Sequence, residues 1–133
     1  MISDTLFTYT LDNGIHHITA LHSTREAVEE MLKHVEGLFE GIPAAEKVRV
    51  LLDFHRVATP PISEWLVPIL AFFRRPGPKT RHPARVAYIY ASTARGRILS
   101  GFLSIQRFLP QRVILRFFSE AERDKALEWL HLA

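Results

Sequence analysis

The sequence predicts a single α/β domain spanning 1–133: a mixed sheet of about five strands, opened by a β-hairpin and continued by β-α units whose helices pack on the sheet. Three observations carry this. The chain has 133 residues, 47% hydrophobic and 23% charged, which suits one core and is too short for two ordinary domains. Short apolar runs at 48–54, 85–91 and 112–118 read as strands covered on both faces. Between them lie stretches with helical spacing, and strands that alternate with helices imply parallel crossovers.

Thr5 to Leu11 alternates and is rich in β-formers. Asp12-Asn13-Gly14 then supplies the residues a tight hairpin requires before Ile15 to Leu21 resumes the strand pattern. Ser23-Thr24-Arg25-Glu26 reads as a capping box, followed at helical spacing by Val28, Met31, Leu32, Val35, Leu38 and Phe39. Gly41-Ile42-Pro43 is the stop signal. Val48 to Phe54 is almost continuously apolar, interrupted by Arg49 and ending in Asp53 before Phe54. Ile62 to Arg75 reads as a helix that is apolar nearly all round, and Pro68 inside it should kink the helix or push its start later. Pro76 to Pro83 is rich in breakers and cations, as an exposed basic loop would be. Arg85 to Ala91 follows as a strand, Thr93 to Leu109 as a helix, Arg112 to Phe118 as a strand and Ser119 to Leu132 as the last helix. That helix is entered through a second capping box, Ser119-Glu120-Ala121-Glu122.

Composition excludes several classes of function. Without cysteine there is no thiol catalysis, cysteine-zinc motif or disulfide scaffold. The longest apolar run, Trp65 to Phe73, is about half of what a helix needs to cross a bilayer. Met1-Ile2-Ser3-Asp4 has no basic segment leading into an apolar stretch, so a soluble cytoplasmic protein is expected. The net charge of +3 conceals a balance of −5 over residues 1–66 and +8 over residues 67–133. From Val67 to Arg116 there are ten Lys/Arg and no acid. Such a segment either attracts an anion, an acidic protein, nucleic acid or a lipid surface, or merely solvates strand ends and helix faces.

Several residues together carry a family resemblance. The strand Val48-Arg49-Val50-Leu51-Leu52-Asp53-Phe54, the strand Arg85 to Tyr90 and the ending Phe117-Phe118-Ser119-Glu120 through Lys125-Ala126-Leu127-Glu128-Trp129-Leu130 resemble the SpoIIAA-like family, within the STAS group of anti-sigma-factor antagonists and relatives. The resemblance covers most of the chain and implies a small regulatory or ligand-responsive α/β module, often paired, with no reaction and no cofactor. The antagonists carry a phosphorylated serine in an Asp-Ser-Ser-Gly setting after the central strand. Here that stretch is Asp53-Phe54-His55-Arg56-Val57-Ala58-Thr59-Pro60-Pro61-Ile62-Ser63-Glu64, without the motif, so a serine phosphoswitch is not expected.

In open α/β sheets ligands bind beyond the carboxyl ends of the strands, where helix N-termini converge. The candidates there are His55 and Arg56 after the third strand, and Ser92, Thr93, Arg95 and Arg97 after the fourth. Hydroxyl caps beside two guanidinium groups suit an anion, although the same residues also make an ordinary helix start. A hydrolase would recruit Ser92 or Ser119 as nucleophile, His55 as base and Asp53 as orienter, but no nucleophile-elbow sequence is present. His16, His17 and His22 do not make a metal site, because adjacent strand residues point to opposite faces. From Arg97 to Leu109 a basic amphipathic helix either packs on the sheet or meets an anionic membrane, a contact that would be peripheral at most. No DNA- or RNA-binding sequence pattern is present, and no specific nucleic-acid partner is expected.

Two readings follow. One is a non-catalytic, self-associating regulatory module, a homodimer joined through Trp65, Ile69, Phe72 and Phe73, with a protein partner or an anionic ligand. The other is a binder of an anionic or apolar small molecule, such as a lipid, at the C-terminal edge of the sheet. A second copy covering the helix at 62–73 would favour the first; an enclosed cavity lined by that helix, with Arg95 or Arg97 at its mouth, would favour the second.

Overall fold

The computed structural model describes residues 6–43, 46–57, 62–74, 83–91, 109 and 112–132. They form a mixed α/β domain with a five-stranded sheet in the order β1(Phe7–Asp12), β2(Ile15–Ala20), β3(Val48–Asp53), β4(Ala84–Tyr90), β5(Val113–Ser119). β1 and β2 are antiparallel, and each later strand runs parallel to its neighbour. Asn13 and Gly14 both take positive φ, 52° and 77°, which is the turn that lets Asp12 pair directly with Ile15.

Because β2, β3 and β4 lie side by side in sequence order, the two crossovers between them step the same way, and right-handed crossovers then bring their helices to one face. The first two crossovers carry α1(Arg25–Glu40) and α2(Ile62–Arg74). Ala27, Val28, Met31 and Phe39 of α1, with Ile69 and Phe72 of α2, join one core with Ile18, Val48, Val50, Tyr88 and Leu115 of the sheet. The opposite face is covered by α3(Arg123–His131), whose Ala126 and Leu130 pack on Ile15, Leu51, Ala87, Ile89 and Phe118. Of the expected loop at 76–83 and the expected helix over 93–109, residues 76–82 and 93–108 lie outside the described residues.

Local chemistry accounts for most element ends. The capping box expected at Ser23 does not form there. Thr24 is the cap, and its Oγ1 accepts the Ala27 N–H at 3.2 Å, one residue later than the pattern suggests. The second box does form: Glu122 Oε1 accepts the Ser119 N–H at 3.0 Å and its hydroxyl at 3.1 Å, across a 3-10 turn that leads into α3. Pro68 neither delays nor ends α2, which runs from Ile62 through the proline, although the carbonyl of Glu64 thereby loses its helical donor. No helix among the described residues is long and apolar enough to cross a membrane.

Candidate functional site

The carboxyl end of β3 holds Asp53, whose side chain points to the α3 face and is 2% exposed, the one buried charge among the described residues. A carboxylate withdrawn from water needs partners at both oxygens. Oδ1 accepts the backbone N–H of His55 at 3.0 Å and lies 2.5 Å from Nδ1 of its ring. Oδ2 accepts from the guanidinium of Arg123, at the first position of α3. Burial acts to raise the Asp53 carboxyl, but the His55 N–H, its imidazole and Arg123 together outweigh it and hold the group below the usual carboxylate range. His17 is drawn into the same electrostatic neighbourhood. Desolvation and then Arg123 lower it, partly offset by Asp12 and Asp53.

The other end of α3 is held by a second device. The last carbonyls of a helix have no internal partner and lie at its negative end. Arg49 Nε donates to the Leu130 carbonyl at 2.6 Å, and one guanidinium nitrogen of Arg85 donates to the carbonyls of Trp129 and Leu132, each at 2.9 Å. The Arg85 guanidinium also stands 5.5 Å from the Trp129 ring centre, with Arg116 at 6.0 Å. Neighbouring Lys47 is lowered by desolvation first and then by Arg85 and Arg49. Arg85, a cation of the acid-free segment, is thus committed to helix carbonyls.

On the α1 face the hairpin and helix enclose an aromatic group. The Tyr9 hydroxyl meets His16 Nδ1 at 2.8 Å, and the His34 ring lies 4.3 Å from Tyr9 and 5.4 Å from Phe7. Burial lowers His16 and His34, and His16 is lowered further by His34 and His17. His16 and His17 do face opposite sides of the sheet, and no metal-holding group of three occurs among the described residues.

Between α1, α2 and the sheet lies a cavity of about 90 Å³, lined among others by Leu32, Val35, Ile69, Phe72, Leu109 and Leu115. Its described walls are apolar or aromatic.

Of the sequence candidates, His55 and Arg56 sit together beyond β3, His55 half-buried and Arg56 exposed. Ser92, Thr93, Arg95 and Arg97 lie outside the described residues. Trp65 and Phe73 are on α2, with side chains outside the description, whereas Ile69 and Phe72 are only 7% and 3% exposed and belong to the core of the single chain. The Ser119 hydroxyl is engaged by Glu122. Arg123 was not signalled by any motif; an apolar strand ending in a carboxylate was the available hint that a distant cation must answer it. No family model matches the chain, and neither a curated protein nor a solved structure matches it.

Proposed function

We propose that this chain is a non-catalytic, cytoplasmic α/β module of the SpoIIAA/STAS type that takes up a small apolar molecule or the end of an acyl chain between α1, α2 and the sheet. The observation that carries the reading is the apolar cavity of about 90 Å³. Close packing leaves few voids larger than a water in protein interiors, and an apolar void of about 150 Å³ is known to stay dry and to bind benzene or xenon. A space of this size and lining suits a few carbon atoms, not a charged group. The ligand location therefore moves from the C-terminal edge of the sheet to the layer between helices and sheet. Native mass spectrometry of the chain as purified and after incubation with decanoate tests it. The reading expects a one-to-one complex that Val35→Phe, which fills the space from α1, abolishes; binding that survives this change in a folded protein rejects the site.

A second reading, self-association as a homodimer, is favoured by Val67, 50% exposed on the outer side of α2. Beside it a groove of about 370 Å³ runs between the helices, bordered by Arg25, Glu29, Lys33, Pro68 and Ala71. With Ile69 and Phe72 turned inward, Val67 and Ala71 would have to make the contact. Light scattering of Val67→Glu against the unmodified chain decides it: a dimer that becomes a monomer supports the reading, and a monomer in both removes it.

A further inference from the structure

We propose that Nε2 of His55 is a phosphoryl acceptor, at which a small donor of high transfer potential, an N-phosphate or an acyl phosphate, leaves its phosphoryl group. The argument begins at Asp53. Its Oδ1 faces Nδ1 of His55 at 2.5 Å, and the same oxygen holds the backbone N–H of His55 at 3.0 Å, so ring and backbone are fixed from one point. An ionised carboxylate can only accept, so a singly protonated ring carries its proton on Nδ1 and its lone pair on Nε2. Nε2 takes no hydrogen bond among the described residues, and the His55 side chain is 34% exposed. Among the described histidines this arrangement is confined to His55: His16 Nδ1 is occupied by the Tyr9 hydroxyl, and His34 Nε2 is buried.

The neighbouring charges select the electrophile. Arg123 holds the other oxygen of Asp53 and is 40% exposed, and Arg56 is exposed at the next position along the loop. Guanidinium forks match phosphoryl oxygens in charge and geometry. With phosphoramidate as donor, the Nε2 lone pair forms a bond to phosphorus as the phosphorus–nitrogen bond breaks. Ammonia leaves with that electron pair and its own three protons. The ring keeps its Nδ1 proton, and its new positive charge faces ionised Asp53. This site is on the sheet face opposite the cavity and does not depend on what the cavity holds.

The test is incubation of the full chain with phosphoramidate, followed by mass spectrometric mapping of acid-labile phosphate. His55 should be labelled at least about tenfold faster than the exposed His22 and His131 of the same molecules, equivalent to about 1.4 kcal/mol at the transition state. His55→Gln should remove that label, and Asp53→Asn should slow it to the rate of the exposed histidines. Equal rates at the three histidines of the unmodified protein would overturn the proposal. So would an unchanged rate in a folded Asp53→Asn variant. Should that variant lose its fold, the comparison within the unmodified protein decides alone.

Discussion

The two faces of the sheet are closed by different physics. On one, α1 and α2 cover Ile18, Val48, Val50 and Leu115 by apolar contact, and a void of about 90 Å³ remains. On the other, the short helix α3 is fixed at both ends by directional bonds: Arg123 on Asp53 at its start, Arg49 and Arg85 on its last carbonyls at its end. Apolar burial is non-directional, so a layer held by it tolerates imperfect filling and can admit a guest. A helix of nine residues is too short to be stable by itself, and its position comes from the burial of Ala126 and Leu130 together with the charges that clamp its two ends. One face is thus suited to taking something up, the other to staying in register.

The largest effect should come from forcing a charge into the apolar layer. Ile69→Glu places a carboxylate without a partner in the core, and the chain should fail to fold at neutral pH by circular dichroism. Val67→Glu, on the exposed side of the same helix, should change stability by less than about 0.5 kcal/mol. Similar behaviour of the two variants would mean that α2 is not docked as described.

Next is Phe54→Ala. Phe54 is fully buried and stacks on Tyr88 with ring centres 4.9 Å apart. Its truncation should cost about 3–5 kcal/mol in urea unfolding. On the opposite face Arg123→Ala should cost about 1.5–3 kcal/mol, the range for hydrogen bonds to charged groups. A double-mutant cycle with Asp53→Ala should show strong coupling between the two; additive losses would contradict the clamp.

Much of the fold was legible because periodicity is local. The turn at Asn13-Gly14, the apolar spacing of α1 and the box at Ser119 each lie within a few residues; the bounds of the five strands and of α1 and α2 agree to within about two residues, whereas the last helix, expected from Ser119, begins at Arg123 after a 3-10 turn. The first cap was misplaced by one residue because Ser23 and Thr24 are both competent, and only the backbone decides between them. Asp53 and His55 were readable as a pair sharing a strand end. Arg123 was not, since it stands 70 residues further on and its role depends on where α3 docks. The acid-free basic segment misled in the same way: charge along a sequence does not say that Arg85 will end against the carbonyls of a helix 44 residues away.

Smaller effects sharpen the comparison. Thr24→Ala removes the cap of α1 and should cost about 1 kcal/mol. The acid limb of stability separates the two faces further. Burial lowers His34, so the folded chain keeps it neutral where the unfolded imidazole, near pH 6.5, already binds a proton. Its contribution is complete above about pH 6.5 and is lost as pH falls from there through the lowered folded value. His34→Leu should flatten that part of the profile. Asp53, also lowered, contributes above about pH 4 and loses its contribution as pH falls through its own depressed value, whichever residue stands at 34.

The central claim, that the α1–α2 face accepts a small apolar guest while the α3 face does not, is tested most directly by methyl NMR of the chain under increasing xenon pressure. Saturable shifts are expected at Leu32, Val35, Ile69 and Leu115, which line the cavity, with Leu51, Ile89 and Leu130 beneath α3 unmoved. Shifts of equal size on both faces, or none at the cavity methyls, would contradict it.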